Sequence, residues 1–387
     1  MKIVDVNGFY SPAGGGVRSY VEQKFKAAAR HGYDLTVVAP GGDDAVELRP
    51  GGRIVWLANP SMPFDANYRY FARRAPVWRA IEAQSPDVVE GSSPWGSGAI
   101  AALWPGDAVR ALIYHQDVVA GYGHVLMDRW VSRPRIDALA APYWRHVRGL
   151  SEKFDVTVCG GAWLARRLTN FGVHNPVAVA LGLESGVFDP ARRDDALRQE
   201  LLRRCGVASG GRLLLAVGRF HPEKRHRTII DGFALARRAR PDLALVLAGD
   251  GLTRKTVERL ARRAGGVQLL GVVGDRDRLA TLYASADALI HGSGAETYGL
   301  VVAEAMASGL PVVVPDRGGA ADLARRGSAR VYATGDAKAC ATAILACLGR
   351  SMGGSGASLG LPNAADHFDG LFGLYESLML EKSKILA

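Results

Sequence analysis

Residues His291 to Gly319 read HGSGAETYGLVVAEAMASGLPVVVPDRGG, and this stretch decides the fold of the chain. A short apolar run at residues 288–290 precedes it, as a buried strand would, and small and polar residues then interrupt the run. Apolar residues at helical spacing follow, Gly309 predicts the helix end, and residues 310–314 predict the next strand. The stretch therefore predicts a strand–loop–helix–strand unit of a parallel sheet.

Two carboxylates lie in this unit at Glu-x7-Glu spacing. Glu296 falls in the loop at the mouth of the predicted sheet, and Glu304 falls about two turns into the predicted helix. The amides near Tyr298, Gly299 and Leu300 are helix-start donors that suit a phosphate. The helix dipole alone also favours a glutamate near a helix start, and a glutamate within a helix usually faces solvent. Glu304, however, stands between two alanines beside the apolar stripe, where a solvated charge is less expected.

Composition bounds the class of protein. The chain has 387 residues, of which 48% are hydrophobic and 22% charged, which suits two or three globular domains. No apolar run approaches the length of a membrane span, and the first residues form a strand pattern rather than a signal peptide. The four cysteines include no Cys-x2-Cys pair, so we expect neither a zinc site nor a disulfide framework. We therefore expect a cytoplasmic protein.

The net charge of +10 requires a physical explanation. A basic surface attracts nucleic acid, anionic lipid or phosphorylated substrates. The arginines are spread along the whole chain without a nucleic-acid motif, so nucleic acid is not an expected partner. Two explanations stay open. One is peripheral contact with the anionic inner face of a membrane, and the other is an arginine-rich composition without functional consequence.

The first half opens with a βαβ pattern. A strand at residues 2–6 is followed by a loop that contains Gly14, Gly15 and Gly16, then by a helix and a second strand. The contiguous glycines do not match the Gly-x-Gly-x-x-Gly fingerprint, which disfavours a dehydrogenase. They could bring amides close to an anion or form only a flexible loop. His115 follows a predicted strand, where ligands bind in open α/β sheets, although a lone histidine is usually structural.

The second half repeats the α/β pattern after a polar, irregular connection at residues 183–211. Its first strand is followed by Gly218, Arg219 and Lys224, and its fourth by the two glutamates and the helix-start amides. Cations and amide donors suit a diphosphate, and carboxylates suit hydroxyls, so the combination indicates a nucleotide sugar. No His-rich cluster suggests a metal site, so we expect no metal and no cofactor, with the two cations neutralising the leaving diphosphate.

With these motifs the chain resembles the family 4 retaining glycosyltransferases, or glycosyl transferases group 1, of the glycosyltransferase-B architecture. The resemblance covers essentially the whole chain. It implies an α/β fold of two Rossmann-like domains facing across a cleft, with a C-terminal helix that crosses back to the first. Residues 1–183 with 364–387 would form the acceptor-binding domain, and residues 184–363 the nucleotide-sugar-binding domain. The matching segments are the glycine loop, His115, residues 218–224, residues 249–251 and residues 296–313.

The resemblance also assigns roles. Glu296 would contact hydroxyls of the donor sugar, Glu304 the ribose hydroxyls, and Arg219 and Lys224 the diphosphate. His115 would lie near the transferred sugar and the acceptor, and it would form the catalytic group with Arg219, Lys224 and Glu296. The implied donor-binding set is Gly15, Gly16, Gly218, Arg219, Lys224, Glu296, Thr297, Tyr298, Gly299, Leu300 and Glu304. The chain departs from the family where Asp322 stands in place of a glutamate after Gly318 and Gly319.

The implied function is retaining transfer of a hexose from GDP-mannose or a UDP-hexose to a glycan or lipid-linked acceptor. Similarity to bacterial mannosyltransferases favours mannose. The leaving phosphate would accept the acceptor's proton, so that no protein nucleophile is needed. Two alternatives stay open: a nucleotide-sugar epimerase or hydrolase of the same architecture, and a non-catalytic sugar-nucleotide-binding scaffold. The intact Arg219, Lys224, Glu296 and Glu304 disfavour the scaffold.

Overall fold

A computed structural model describes residues 1–12, 16–63, 65–349 and 360–386 of the chain. The chain divides into two compact units. The first comprises Met1–His115, Leu139–Ala180 and Ala364–Ala387, and the second comprises Gln116–Ala138 and Leu181–Asn363. The sequence-based domain limits place residues 116–138 in the first domain, whereas here they pack with the second unit. A 2.7 Å ion pair between Asp128 and Arg225 is one of the contacts that hold them there.

The first unit is built on an eight-stranded sheet. Its strands, and those of a small β5–β6 hairpin, are β1 (Lys2–Val6), β2 (Asp34–Gly41), β3 (Ala45–Arg49), β4 (Gly52–Ala58), β5 (Ser61–Met62), β6 (Asp65–Arg69), β7 (Val88–Gly91), β8 (Val109–Tyr114), β9 (Val156–Cys159) and β10 (Pro176–Ala178). The order in the sheet is β10-β9-β8-β7-β1-β2-β4-β3, and all neighbours are parallel except β3 and β4. The strand order therefore reverses between β1 and β7.

Helices cover this sheet and supply its apolar contacts. The helices, including two of residues 125–139 that belong mainly to the second unit, are α1 (Gly16–His31), α2 (Arg74–Glu82), α3 (Gly96–Ala102), α4 (Val125–Met127), α5 (Arg133–Leu139), α6 (Ala141–Ser151) and α7 (Ala162–Asn170).

The second unit is built on a six-stranded sheet in which all neighbours are parallel. Its strands are β11 (Arg212–Val217), β12 (Leu243–Ala248), β13 (Val267–Gly271), β14 (Ala288–Ile290), β15 (Val312–Pro315) and β16 (Ala329–Tyr332). The order is β13-β12-β11-β14-β15-β16, so the strand order reverses between β11 and β14. The central strands are continuous apolar runs because helices cover both faces of a parallel sheet.

The helices of the second unit alternate with these strands. They are α8 (Asp195–Arg204), α9 (His226–Ala239), α10 (Arg254–Ala264), α11 (Arg276–Ser285), α12 (Leu300–Ala307), α13 (Gly318–Ala324) and α14 (Ala337–Leu348). The prediction of two Rossmann-like α/β halves is confirmed. The strand after the His291–Gly319 loop and helix begins at Val312, two residues later than residue 310, since Leu310 still bonds back to Ala305 at the end of α12.

The C-terminal helix α15 (Ala364–Leu386) returns to the first unit. Its residues Phe368, Leu371, Phe372 and Tyr375 are buried in the core that α1 and the first sheet form. This confirms the predicted crossing helix. Among the helices that the described residues form, none combines the length and the apolar character needed to cross a bilayer.

Replacing Phe372 with alanine tests whether α15 is an integral part of the first unit. Phe372 is 1% exposed, so Phe372→Ala should lower the free energy of unfolding by about 3–5 kcal/mol. The exposed Leu380 on the same helix is the matched control, and Leu380→Ala should change stability by no more than about 0.5 kcal/mol. Urea-induced unfolding measures both, and equal effects of the two variants would show that α15 does not hold the core.

Candidate active site

The candidate site of the second unit lies where its strand order reverses. Strands β11 and β14 are parallel neighbours, so their carboxyl ends open at the same edge of the sheet. In open α/β sheets ligands bind at this edge, beside the reversal point. The segment after β11 carries Arg219 and Lys224, and the segment after β14 carries His291 and Glu296.

An ion pair joins the two segments. Lys224 Nζ lies 2.6 Å from Glu296 Oε2, and both side chains are about one-fifth exposed, at 18% and 21%. Gly292 permits this approach, because a Cβ atom at that position would overlap the carbonyl oxygen of Lys224. The structure therefore brings together two residues that are 72 positions apart and that the sequence analysis assigned to one site.

Each charge of this pair favours the ionised form of the other. Burial raises the pKa of Glu296, but Lys224 and the nearby His291 outweigh burial and hold that pKa well below its usual value. Burial lowers the pKa of Lys224, but Glu296 and Glu223 outweigh it and raise that pKa. Both groups are therefore charged at neutral pH, and a carboxylate and an ammonium are available to a ligand.

Histidine 291 is a part of the site that the sequence analysis did not assign. Its ring nitrogen Nε2 lies 3.4 Å from Glu296 Oε2, and its side chain is buried. Its backbone is fixed by the Tyr332 hydroxyl, which donates to the His291 carbonyl over 2.7 Å. The sequence feature that could have identified His291 is its position directly after β14, because His115 directly follows β8 in the same way.

The helix after Glu296 begins one to two residues later than predicted. Gly299 caps it with φ of 100°, a conformation that favours glycine, and Leu300 is the first helical residue. Val302 and Ala303 both donate to the Gly299 carbonyl, so the first helical amides without a partner within the helix are those of Leu300 and Val301. The predicted contact of the Tyr298 amide with a phosphate stays a prediction. Gly319 fixes the loop that carries Glu296, because the Gly319 amide donates to the Glu296 carbonyl over 2.6 Å.

Glu304 lies about one turn into this helix, not two, because α12 starts at Leu300. Its buried carboxylate accepts a hydrogen bond from the Tyr283 hydroxyl at 2.9 Å and one from Arg276 Nη1 at 3.4 Å. Burial raises the pKa of Glu304, and Arg276 opposes that increase. Tyr283 and Arg276 were missed by the sequence analysis because nothing in the spacing of α11 relates it to α12. The predicted contact of Glu304 with ribose hydroxyls stays a prediction.

The remaining residues of the predicted donor set surround this pair. Gly218 directly follows β11, and Arg219 is 67% exposed with its guanidinium 3.7 Å from Glu223. Thr297 is half-buried and Tyr298 is buried, while Leu300 is exposed. Arg219 is thus the cation of the set that is most accessible to a ligand. Asp322, the departure from the family pattern, pairs with Arg325 at 3.2 Å.

The first unit contains His115 and a separate buried charge cluster. His115 follows β8, and its Nε2 is a buried atom without a hydrogen-bond partner among the described residues. Burial lowers its pKa to about 4, so the imidazole is neutral at pH 7. The ring packs edge-on against Tyr20 of α1, with 5.3 Å between ring centroids. A neutral imidazole at a strand end can exchange hydrogen bonds with a hydroxyl group.

The charge cluster consists of Lys24, Asp5 and Glu90. It lies near His115 and joins α1 to the first sheet. Lys24 forms ion pairs with Asp5 of β1 and Glu90 of β7, and all three side chains are fully buried. Ser92 donates to Asp5 over 2.6 Å, and Tyr375 of α15 donates to Glu90 over 2.8 Å. Burial raises the pKa of Glu90, although Lys24 opposes the increase. The cluster thus fixes α1 and β1 on either side of the predicted glycine loop.

That loop is only partly described. Gly16 is the first residue of α1 and is exposed, whereas Gly14 and Gly15 lie outside the described residues. The assignment of Gly15 and Gly16 to the donor therefore stays a prediction. Within residues 1–12, 16–63, 65–349 and 360–386, no group of three or more His, Cys, Asp and Glu side chains is placed to hold a metal ion.

Two family models match this chain, one in each half. Residues 14–182 match the model described as Glycosyltransferase Family 4, and residues 198–350 match the model described as Glycosyl transferases group 1. Together the two matches cover more than four-fifths of the chain.

The similar proteins include two from Mycobacterium tuberculosis. A GDP-mannose-dependent alpha-(1-6)-phosphatidylinositol dimannoside mannosyltransferase is 28% identical over 81% of this chain and 79% of its own length. A GDP-mannose-dependent alpha-mannosyltransferase is 29% identical over 84% of this chain and 81% of its own length. Among solved structures, sucrose-phosphate synthase from Thermosynechococcus elongatus shares the fold, with a TM-score of 0.76 at 20% identity over 98% of this chain and 99% of its own.

The pKa of His115 can be measured by NMR. Its ring signals should titrate near pH 4, not near the ordinary value of about 6.5, because burial disfavours the imidazolium. Since the unfolded chain binds this proton near pH 6.5, the histidine makes the fold less stable as the pH falls from there towards 4. The variant His115→Gln identifies the signal among the nine histidines, and a midpoint near 6.5 would contradict the environment described for it.

Proposed function

We propose that this chain transfers mannose from GDP-mannose to a glycan or lipid-linked acceptor. It belongs to the family 4 glycosyltransferases and is a hexosyltransferase with a nucleotide-sugar donor. Both mycobacterial relatives are named as GDP-mannose-dependent mannosyltransferases, which supports this donor. A UDP-hexose is the alternative donor. We place the reaction at the cytoplasmic face of a membrane, where the net charge of +10 favours contact with anionic lipid.

The observation that carries the proposal is the Lys224–Glu296 pair at the reversal point of the second sheet. Lys224 and the exposed Arg219 supply positive charge for a diphosphate, and the amides of Leu300 and Val301 supply hydrogen-bond donors beside it. Glu296 is ionised, so its free lone pairs can accept hydrogen bonds from sugar hydroxyls. One site thus offers partners for both the charged and the hydroxylated part of a nucleotide sugar.

The same residues can stabilise the transition state. As the glycosidic bond to the diphosphate breaks, negative charge develops on the leaving phosphate, and we propose that Lys224, Arg219 and the helix-start amides stabilise that charge. We propose that the leaving phosphate accepts the acceptor's proton and that attack occurs on the same face, so the configuration is retained. The reaction then needs no metal and no cofactor, because the protein's own cations neutralise the diphosphate.

Calorimetry with nucleotides tests the donor site directly. GDP and GDP-mannose should bind without added metal, and UDP, ADP and their hexose conjugates serve as the comparison. Arg219→Ala should weaken binding at least tenfold, because charge-assisted contacts with phosphate contribute about 1.5–3 kcal/mol each. Arg259→Ala, an exposed arginine on α10, is the matched control and should leave the affinity unchanged. Binding of none of these nucleotides to the folded protein would overturn the proposed site.

Transfer assays test the catalytic assignment. Lys224→Ala and Glu296→Ala should each reduce transfer of mannose at least a hundredfold while the protein stays folded, since each removes a charge from the site. Lys255→Ala, at an exposed position of α10, should retain full transfer. Normal turnover by either site variant would refute the assignment. Turnover of the nucleotide sugar without any dependence on an acceptor would instead identify the epimerase or hydrolase alternative.

A further inference from the structure

The second unit contains a pocket that the proposed donor site does not use. Its volume is about 730 Å³, and it lies between residues 125–134, residues 222–228 and the loops at Arg317 and Thr334. The first of these segments belongs to the stretch Gln116–Ala138, which packs with the second unit. A pocket of this size can accommodate a ligand larger than an inorganic ion.

The lining of this pocket is strongly basic. Among the described residues that line it are five arginines and one aspartate: Arg129, Arg133, Arg225, Arg227, Arg317 and Asp128. Guanidinium groups bind phosphate and carboxylate oxygens in pairs, and a concave surface of one charge sign concentrates ligands of the other sign. The lining is therefore complementary to an anion.

Two of these arginines are held rigidly. Asp128 Oδ2 accepts from Arg225 Nη2 at 2.7 Å and from Arg133 Nη2 at 3.0 Å, so one carboxylate holds both guanidiniums. The backbone of Arg225 has φ of 48°, a left-handed conformation that costs a residue with a side chain of order 1–3 kcal/mol. The surrounding structure thus fixes Arg225 on the pocket wall against a local preference.

The other three arginines are not tightly paired. Arg227 lies 3.9 Å from the Asp231 carboxylate and Arg317 lies 3.9 Å from the Asp316 carboxylate, and the two arginine side chains are 65% and 50% exposed. The Arg129 guanidinium lies over the ring of Trp130, 4.9 Å from its centroid. Three cations thus remain available to a ligand, next to two that Asp128 holds in place.

The pocket adjoins the donor site. Pro222 and Arg225 of its lining flank Lys224 in the chain. A Cβ atom at Gly294, two residues before Glu296, would contact Arg317 and Thr334. The segment that carries Lys224 therefore also forms a wall of the basic pocket, and the loop that carries Glu296 packs against two residues of its lining.

The rim of the pocket is apolar on one side. Leu126 lines the pocket and is 59% exposed, and the neighbouring Trp130 is 74% exposed. Large apolar side chains that are exposed next to a charged pocket suit a ligand with a charged group and an apolar part.

We propose that this pocket binds a phosphate group of the acceptor, and that the acceptor is an anionic amphiphile whose apolar part lies against Leu126 and Trp130. The inference rests on the proposed function, since it names the class of acceptor for that reaction. It places the acceptor's phosphate beside the donor site, because the segment around Lys224 contributes to both.

Vesicle binding by the full-length chain tests the pocket without relying on activity. Vesicles of phosphatidylcholine with added phosphatidylglycerol should bind, and vesicles of phosphatidylcholine alone should bind much more weakly. Arg129→Ser with Arg227→Ser should weaken the binding about tenfold or more, because each arginine near an anionic surface contributes about 1 kcal/mol. The exposed pair Arg259→Ser with Arg262→Ser on α10 removes the same charge elsewhere and should change the affinity less than twofold.

A second arm separates lipid from soluble phosphate esters. Glycerol phosphate should compete with the vesicles for the pocket. Trp130→Ser should weaken vesicle binding but leave the affinity for glycerol phosphate unchanged, because this variant removes only the apolar contact. Binding of glycerol phosphate without binding of vesicles, lost in the Arg129/Arg227 variant, would support the phosphate pocket and assign it to a soluble ester. No binding of either probe, or equal losses in the pocket variant and the α10 variant, would overturn the inference.

Donor affinity distinguishes failure of this inference from failure of the proposed function. Calorimetry with GDP should give the same affinity in the Arg129/Arg227 variant as in the wild type. If GDP binds normally while both phosphate probes fail, the donor site stands and the acceptor inference falls. If the probes bind and GDP does not, the pocket stands as an anion site and the proposed donor function falls.

Discussion

The contact between Lys224 and Glu296 is the interaction on which the second unit's site depends. The Lys224 ammonium and the Glu296 carboxylate have limited access to water, so each charge alone would destabilise the fold. The attraction between the two charges offsets that loss of hydration. The contact also requires two loops to meet at the end of a parallel sheet, which glycine at position 292 allows. The charges available to a ligand are therefore a consequence of how β11 and β14 lie side by side.

Much of this arrangement can be predicted from the sequence, because it follows from the order of strands and loops. The apolar runs that became β11 and β14 identify a parallel sheet, and the residues after such strands must meet at one edge. Arg219, Lys224 and Glu296 can thus be grouped from the sequence alone. The helix start was less predictable, because Tyr298 fits the apolar stripe of the helix although it precedes Gly299. The left-handed conformation of that glycine, which sequence spacing does not reveal, sets the start at Leu300.

The contacts that could not be predicted join segments without any local relation. Tyr283 and Glu304 meet because α11 and α12 pack together, which neither helix indicates alone. Asp5 and Glu90 stand inside apolar strands, and their partner Lys24 stands with Val21 and Ala28 on the buried face of α1. The sequence does not show that these charges meet. The stretch Gln116–Ala138 is the clearest case. Its place in the chain suggests that it belongs to the first domain, whereas the ion pair between Asp128 and Arg225 joins it to the second unit. This packing forms the basic pocket, which no sequence motif indicates.

The central claim is that Lys224 and Glu296 act as one unit in holding the donor, and a double-mutant cycle on donor affinity tests it most directly. The cycle compares GDP-mannose binding by the wild type, Lys224→Met, Glu296→Gln and the double variant. Each single change leaves its partner's charge uncompensated, so the account predicts that the double variant loses less affinity than the two single losses together, with a coupling of about 1 kcal/mol or more. Strictly additive losses would contradict it, because they would mean that the two side chains meet the donor independently of each other.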